Sequence, residues 1–310
     1  MRILCTRSNE NETDHLSDLL IHGFHELGHE VIDAPRIWHI HNDGKPGPDG
    51  KQRNELHGRG FTLTAVLPDD TNIDRTDIEG KIRNRYFDVC VLSRADFKSV
   101  YEDLILEVYP KEKIIIIDGK DQPDLTHYRD HSHLVDKGTY FKRELMVDHP
   151  LIHPIGFSFP KSKIIDCNGL VKEKLMSGAK PVDGDNATKK YMFDNEADYY
   201  RDYAVSYFGE TNRKGGWDCQ RHHEIMASGG VPWFTDLAYC PEQTCTFLPK
   251  EELLAVCQLI NDNGAEWFEN GPGRDMYDVL QEQIFNHFLA HCTTEAVAKY
   301  VLDTHKRNYG

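Results

Sequence analysis

Residues 207–241 read YFGETNRKGGWDCQRHHEIMASGGVPWFTDLAYCP, and the order of residue types in this stretch decides the fold class. A β-prone run at 206–211 leads into a glycine-bearing polar loop. A stretch at helical spacing follows over 218–228, stopped by Gly229-Gly230, and a second β-prone run occupies 231–237. Strand, loop, helix and strand in that order make a βαβ unit, which favours a parallel sheet with a right-handed crossover.

The same grammar opens the chain. Residues 2–6 are β-prone, and Leu16, Leu19, Leu20, Phe24 and Leu27 then fall on one helix face. Asp14 is placed to cap that helix and Gly28 to end it, with the next strand at 29–33. Residues 39–60 are rich in Gly, His, Asn and Asp and read as an excursion, and 61–67 resembles a strand. Helices are expected at 77–86 and 100–108, and continuously apolar strands at 87–93 (FDVCVLS) and 113–118 (KIIIID). Strands of that kind suit a parallel sheet covered on both faces.

Three prolines within 150–160 mark a hinge, and 177–190 reads as a loop. A helix is expected at 199–206 and a short strand at 245–248, with closing helices near 250–261, 274–290 and 293–304. The expected fold class is α/β, with two Rossmann-like doubly wound domains facing each other across a cleft. The expected division is an N-terminal domain over 1–152, a C-terminal domain over 153–292 and a closing helix over 293–310 placed to pack back on the first.

The chain carries 36 basic and 51 acidic residues, a net charge of -15, which weighs against a phosphate backbone or an anionic membrane as partner. The eight cysteines form no CxxC pair and the seventeen histidines show no zinc spacing, so reduced thiols and no metal are expected. No secretory leader and no membrane-spanning run is visible, and a cytoplasmic protein is expected.

The loop Lys214-Gly215-Gly216 lies just before a helix start at Trp217 or Asp218. Glycines let a ligand approach the backbone, and a helix start offers unpaired N–H groups to a phosphate. Arg213, Lys214 and Arg221 add positive charge. Arg221 and Glu224 are three residues apart on one helix face, suited to a diphosphate and to two ribose hydroxyls respectively. The plainer alternative is a surface salt bridge between the two. Trp233, inside a strand, and Tyr199, Tyr200 and Tyr203 read as packing residues, and His222-His223 as helix surface.

The run from Glu224 through Ala227-Ser228-Gly229-Gly230-Val231-Pro232 to Asp236 resembles the donor-binding half of GT-B glycosyltransferases. The Arg221/Glu224 spacing is similar to that of phage DNA glucosyltransferases and exostosin-like enzymes. The resemblance covers this stretch and implies a nucleotide-sugar donor of UDP or GDP type as substrate. It assigns ribose to Glu224 and diphosphate to Arg221, with no cofactor and no catalytic metal. Where many retaining members carry a second Glu, this chain has Gly216, with Asp218 as a candidate substitute; the stereochemical outcome stays open.

An inverting transfer needs a base beside the acceptor hydroxyl, and such groups sit at the carboxyl ends of strands. Asp118 and Asp121 follow the KIIIID strand, and Asp14 and His15 follow the first strand and its loop, with helix capping as the competing role of Asp14. Lys142 and Arg143 are candidates to neutralise the leaving diphosphate, against a solvated basic pair. The expected acceptor is a glycan or small molecule, with nucleic acid disfavoured by the charge. A non-catalytic nucleotide- or sugar-binding protein and a nucleic-acid glucosyltransferase are the alternatives.

Overall fold

The structure is a computed structural model describing residues 1–9, 13–93, 98–123, 132–167, 169–179 and 191–309. The loop expected at 177–190 lies, from residue 180 onward, outside the described residues.

The first part of the chain is β1 (Arg2–Thr6), α1 (His15–Glu26), β2 (Glu30–Ala34), α2 (Ile78–Arg83), β3 (Val89–Ser93), α3 (Glu102–Val108), β4 (Ile114–Asp118), β5 (Thr139–Lys142) and β6 (Ile152–Pro154). These strands form one parallel sheet in the order β2-β1-β3-β4-β5-β6. The strand order reverses between β1 and β3, and a reversal of that kind opens a crevice outside the carboxyl ends of the strands. The expected boundary at 152/153 falls inside β6, so the chain leaves this sheet only after Pro154.

Successive strand side chains point to opposite faces, which is why the apolar runs are continuous. Ile3, Cys5, Val91, Ile115 and Ile117 pack under α1, while Leu4, Cys90, Leu92, Ile114 and Ile116 pack under α2 and α3. Asp14 caps α1, its carboxylate accepting the Ser17 N–H at 3.2 Å, and Gly28 follows the helix with φ +76°, both as expected.

The second part contains β7 (Lys174–Met176), α4 (Glu196–Ala204), β8 (Ser206–Thr211), α5 (Gln220–Ala227), β9 (Val231–Phe234), α6 (Lys250–Asn263), α7 (Gly271–His291) and α8 (Thr294–Tyr309). Its described strands run parallel in chain order, β7-β8-β9, without the reversal that a doubly wound sheet carries. Phe208, Val231 and Phe234 pack against α6 and α7; Tyr203 and Ile225 pack together on α4 and α5. Gly229 ends α5 at φ +68°, with its N–H on the Met226 carbonyl.

Two segments cross between the sheets side by side: the Phe159 N–H donates to Cys292 O and the Thr294 N–H donates to Phe159 O. Helix α8 then returns to the first sheet, where Val297, Ala298 and Val301 join the core beside α1. Gly23 makes that approach possible, since a Cβ there would lie on the Thr294 backbone.

Two expected strands are absent. Residues 61–67 form turns, with Thr62 and Ala65 at positive φ, and Leu67 makes only an isolated bridge to His41. Residues 245–248 are turns as well, with Cys245 at φ +53°. Among the described residues no helix is long and apolar enough to cross a membrane.

Candidate functional site

A cavity of about 650 Å³ lies between the carboxyl end of the first sheet and the loop that leads from β8 into α5. His15 at the start of α1, Asp121 beyond β4 and Phe157 beyond β6 line one side. Lys214, Gly215, Gly216, Asp218, Arg221 and Glu224 line the other, so most of the residues singled out in the 207–241 stretch do converge.

The loop is held differently from expectation. Helix α5 begins at Gln220 with Cys219 as its N-cap, not at Trp217. The Trp217 and Asp218 N–H groups donate to the two oxygens of Glu144, at 2.9 and 3.1 Å. The protein's own carboxylate thus fills the place expected for a phosphate, and those two amides are not a donor site. Gly216 is required by that contact, because a Cβ would stand 2.5 Å from Glu144 Oε1; at Gly215 it would collide with Asp121. Burial pushes the Glu144 carboxyl above its ordinary range, opposed by Arg143 and the two amides.

Arg143 is a buried knot rather than a phosphate ligand. Its guanidinium donates to Gly119 O at 3.1 Å, Glu144 Oε1 at 2.8 Å, Asp218 O at 2.5 Å and the Asp121 carboxylate. It ties the first sheet to the loop of the second. Lys142 is also completely buried, its ammonium 3.3 Å from Asp118. Both corrections have one cause: β5 is covered on both faces, so a charged residue at its end pairs inward.

Asp118 is completely buried, accepting from Tyr140 OH at 2.8 Å and from the Lys120 N–H at 3.1 Å, and does not line the cavity. Its place as a base is withdrawn. Asp14 is buried and committed to Ser17, so its capping role prevails; burial and then Asp18 push its carboxyl up. Asp121 does line the cavity, with its side chain half exposed and one oxygen on Arg143. His15 faces the same space, and burial followed by the neighbouring His57 pushes its imidazole down to about 4.

Trp217 is core, packed beside Phe234 with a ring separation of 6.4 Å, and does not line the cavity. Asp218 is buried; one oxygen accepts the Phe157 N–H at 2.6 Å and the other faces His223 at 3.5 Å. Burial works against its charge, but His223, Arg143 and His222 outweigh it and hold the carboxyl below its ordinary range. His222 is buried rather than on the helix surface, with its ring stacked 4.3 Å from Phe234. Burial opposes its protonation, yet Cys219 and the Trp217 carbonyl raise it to about 9.

Glu224 and Arg221 do not form the plain salt bridge. The Glu224 oxygens accept from Thr62 Oγ1 and Tyr199 OH, each at 2.6 Å. The carboxylate is largely buried at the cavity wall, and it anchors the Thr62 turn instead of standing free for a ribose. Burial pushes it up, opposed by those two hydroxyls and Arg221. The Arg221 Nε is buried with no hydrogen-bond partner. Burial disfavours its charge, but Tyr203, Tyr199, Cys219 and Glu224 hold it above its ordinary value.

Glu144, His57, Phe157 and Thr62 were not selected from sequence as site residues. Each sits in a segment far along the chain from the loop it meets, and no local pattern marks it.

No family model matches the sequence, and no curated protein matches it. Among solved structures, the chain is similar to an alpha-glucosyltransferase in complex with UDP-glucose and DNA containing an abasic site, at 11% sequence identity and a TM-score of 0.48, with 98% of each chain covered.

Proposed function

We propose that the chain is a glycosyltransferase of GT-B organisation that takes a sugar from a nucleotide-sugar donor bound in the 650 Å³ cavity. Residues 1–152 supply the acceptor side, and 153–292 supply the donor side. The observation that carries this reading is Arg221. A guanidinium at the start of α5, lining a cavity with a buried nitrogen that has no protein partner, calls for an anion. A diphosphate supplies the matching acceptors, and Lys214 lies on the same wall.

The donor reading shifts from the Trp217 amides to Arg221, because Glu144 already occupies those amides. Glu224 keeps a narrower role. Each of its oxygens has a second lone pair, so ribose contact coexists with Thr62 and Tyr199. In the transfer, an acceptor oxygen forms a bond to the anomeric carbon while the bond from that carbon to the diphosphate oxygen breaks. The acceptor proton passes to a base, and the diphosphate leaves with its charge against Arg221 and Lys214. Asp121 is the base in this reading, since it is the candidate carboxylate after β4 that reaches the cavity. No cofactor is invoked.

The test is a thermal-shift screen of UDP, GDP, TDP and their sugars, followed by transfer assays with glycan, small-alcohol and DNA acceptors. A ligand that binds only the folded state raises the melting temperature. Arg221→Met should abolish that rise while the unliganded chain still unfolds in one cooperative transition, because the nitrogen lost is the one without a hydrogen-bond partner. No nucleotide-induced rise in the parent chain, or an equal rise in Arg221→Met, overturns the reading. Binding without turnover on any acceptor favours a non-catalytic binding protein.

A further inference from the structure

Behind the cavity wall, Asp218, His222 and Cys245 bring a carboxylate oxygen, an imidazole nitrogen and a thiol sulfur within 4.8 Å of one another, all three side chains buried. We propose that these residues form a structural zinc site that fastens the loop before α5 to the turn after β9. Neither the transfer reaction nor the donor reading requires it.

The ligand set is the one zinc takes: one oxygen, one nitrogen and one sulfur, at bonds of about 2.0–2.3 Å. Tetrahedral ligands at such lengths stand roughly 3.3–3.8 Å apart, so side-chain adjustments of about 1 Å close the group around an ion. Magnesium and calcium prefer all-oxygen shells, and a single carboxylate beside a thiol does not provide one.

Asp218 is 2% exposed; Oδ2 accepts from Phe157, and Oδ1 makes no hydrogen bond, its neighbour being His223 Nε2 at 3.5 Å. A directly coordinated cation stabilises a buried carboxylate more than an imidazole at that distance does. The Nε2 of His222 stands 2.9 Å from the Trp217 carbonyl and 3.4 Å from Cys219 Sγ, while Nδ1 is 3.0 Å from Thr211 Oγ1. A carbonyl oxygen only accepts, so Nε2 carries a proton in the metal-free chain and exchanges it for the ion on binding, while Nδ1 stays on the Thr211 hydroxyl and orients the ring. Cys245 holds a left-handed backbone at φ +53°, a strained setting for a residue with a Cβ.

Cys219 Sγ stands 3.4 Å from Nε2 but outside the 4.8 Å group, so it completes the shell only by turning inward on binding. On binding, the thiol protons and any imidazole proton pass to solvent. The ligands lie on a loop, a helix and a distant turn, which is why the sequence shows no zinc spacing.

The experiment measures metal in the full chain purified without added metal or chelator. Mass spectrometry of the elements should find about one zinc per chain, as a closed structural site holds. Exchange into cobalt should give a sulfur-to-cobalt absorption band in the near ultraviolet, lost in Cys245→Ser together with at least a tenfold fall in metal content. Because that variant carries its own folding risk, 1,10-phenanthroline is added to the parent chain in parallel. The melting temperature should fall and recover on adding zinc sulfate. A chain isolated metal-free that shows no cobalt band and no response to the chelator overturns the proposal, whatever the outcome of the nucleotide screen.

Discussion

Replacing Glu144 by Gln isolates the joint between the two sheets. The carboxylate accepts from two backbone amides and from Arg143, with heavy-atom distances of 2.9, 3.1 and 2.8 Å. Gln keeps the shape but retains one accepting oxygen, and its NH₂ must face a donor. A hydrogen bond to a charged group is worth about 1.5–3 kcal/mol net, and a buried donor left without a partner adds to the loss. Breaking a buried ion pair on one side typically costs about 3–5 kcal/mol. Arg143 retains Asp121, so the lower end applies, about 3 kcal/mol. At roughly 2–4 °C per kcal/mol for a chain of this class, the melting temperature should drop by about 6–12 °C. Calorimetry at pH 7 measures the drop, and hydrogen exchange reads the Trp217 and Asp218 amides, which should lose protection. Glu144→Ala carries the argument further. It empties the acceptor position beside Gly216, and sulfate should then restore part of the lost stability by taking the two amides. A melting temperature within about 2 °C of the parent, with amide exchange unchanged, refutes the claim that this carboxylate holds the loop.

Three further outcomes are expected. His15 is held near 4 in the folded chain while its unfolded value is near 6.5. The unfolded state therefore binds more protons between those values, so this stability is present above pH 6.5 and lost toward pH 4, up to about 3 kcal/mol; His15→Gln should flatten that part of the pH–stability curve, and an unaltered slope counts against it. Gly23→Ala should cost about 1–3 kcal/mol through overpacking against the Thr294 backbone, and a thermal melt equal to the parent's contradicts the α1–α8 contact. Asp121→Asn should lower kcat by about 100-fold or more while donor affinity in a thermal shift stays nearly intact, and retained turnover removes Asp121 as the base.

Legibility from the sequence followed the range of the interactions. The ends of α1 were readable because Asp14 caps a helix three residues from its target, and Gly28 supplies the positive φ that ends it. The 61–67 segment was misread because its apolar alternation is overridden from afar. Thr62 at φ +70° is held by Glu196, Tyr200 and Glu224, none of which a local window contains. Cys245 misled for the same reason, since its left-handed turn sits within a buried cluster drawn from two other elements. Arg221 was found because its spacing from Glu224 is local, whereas one of the two partners of Glu224, Thr62, lies in the first part of the chain.

Periodicity and end signals determined the parallel α/β architecture and the order of its main helices, because those depend on neighbours a few residues apart, whereas the return of the last helix to the first sheet rests on contacts about 270 residues apart, such as Gly23 against Thr294. Tertiary structure alone decided which charges stay available for a ligand. Glu144 took the amides, Arg143 and Lys142 paired inward and Asp118 vanished beneath Tyr140, while Arg221 kept an unpartnered nitrogen. The physical reason is that a buried charge is tolerable only with a partner, and the fold brings those partners from segments that no local sequence pattern connects.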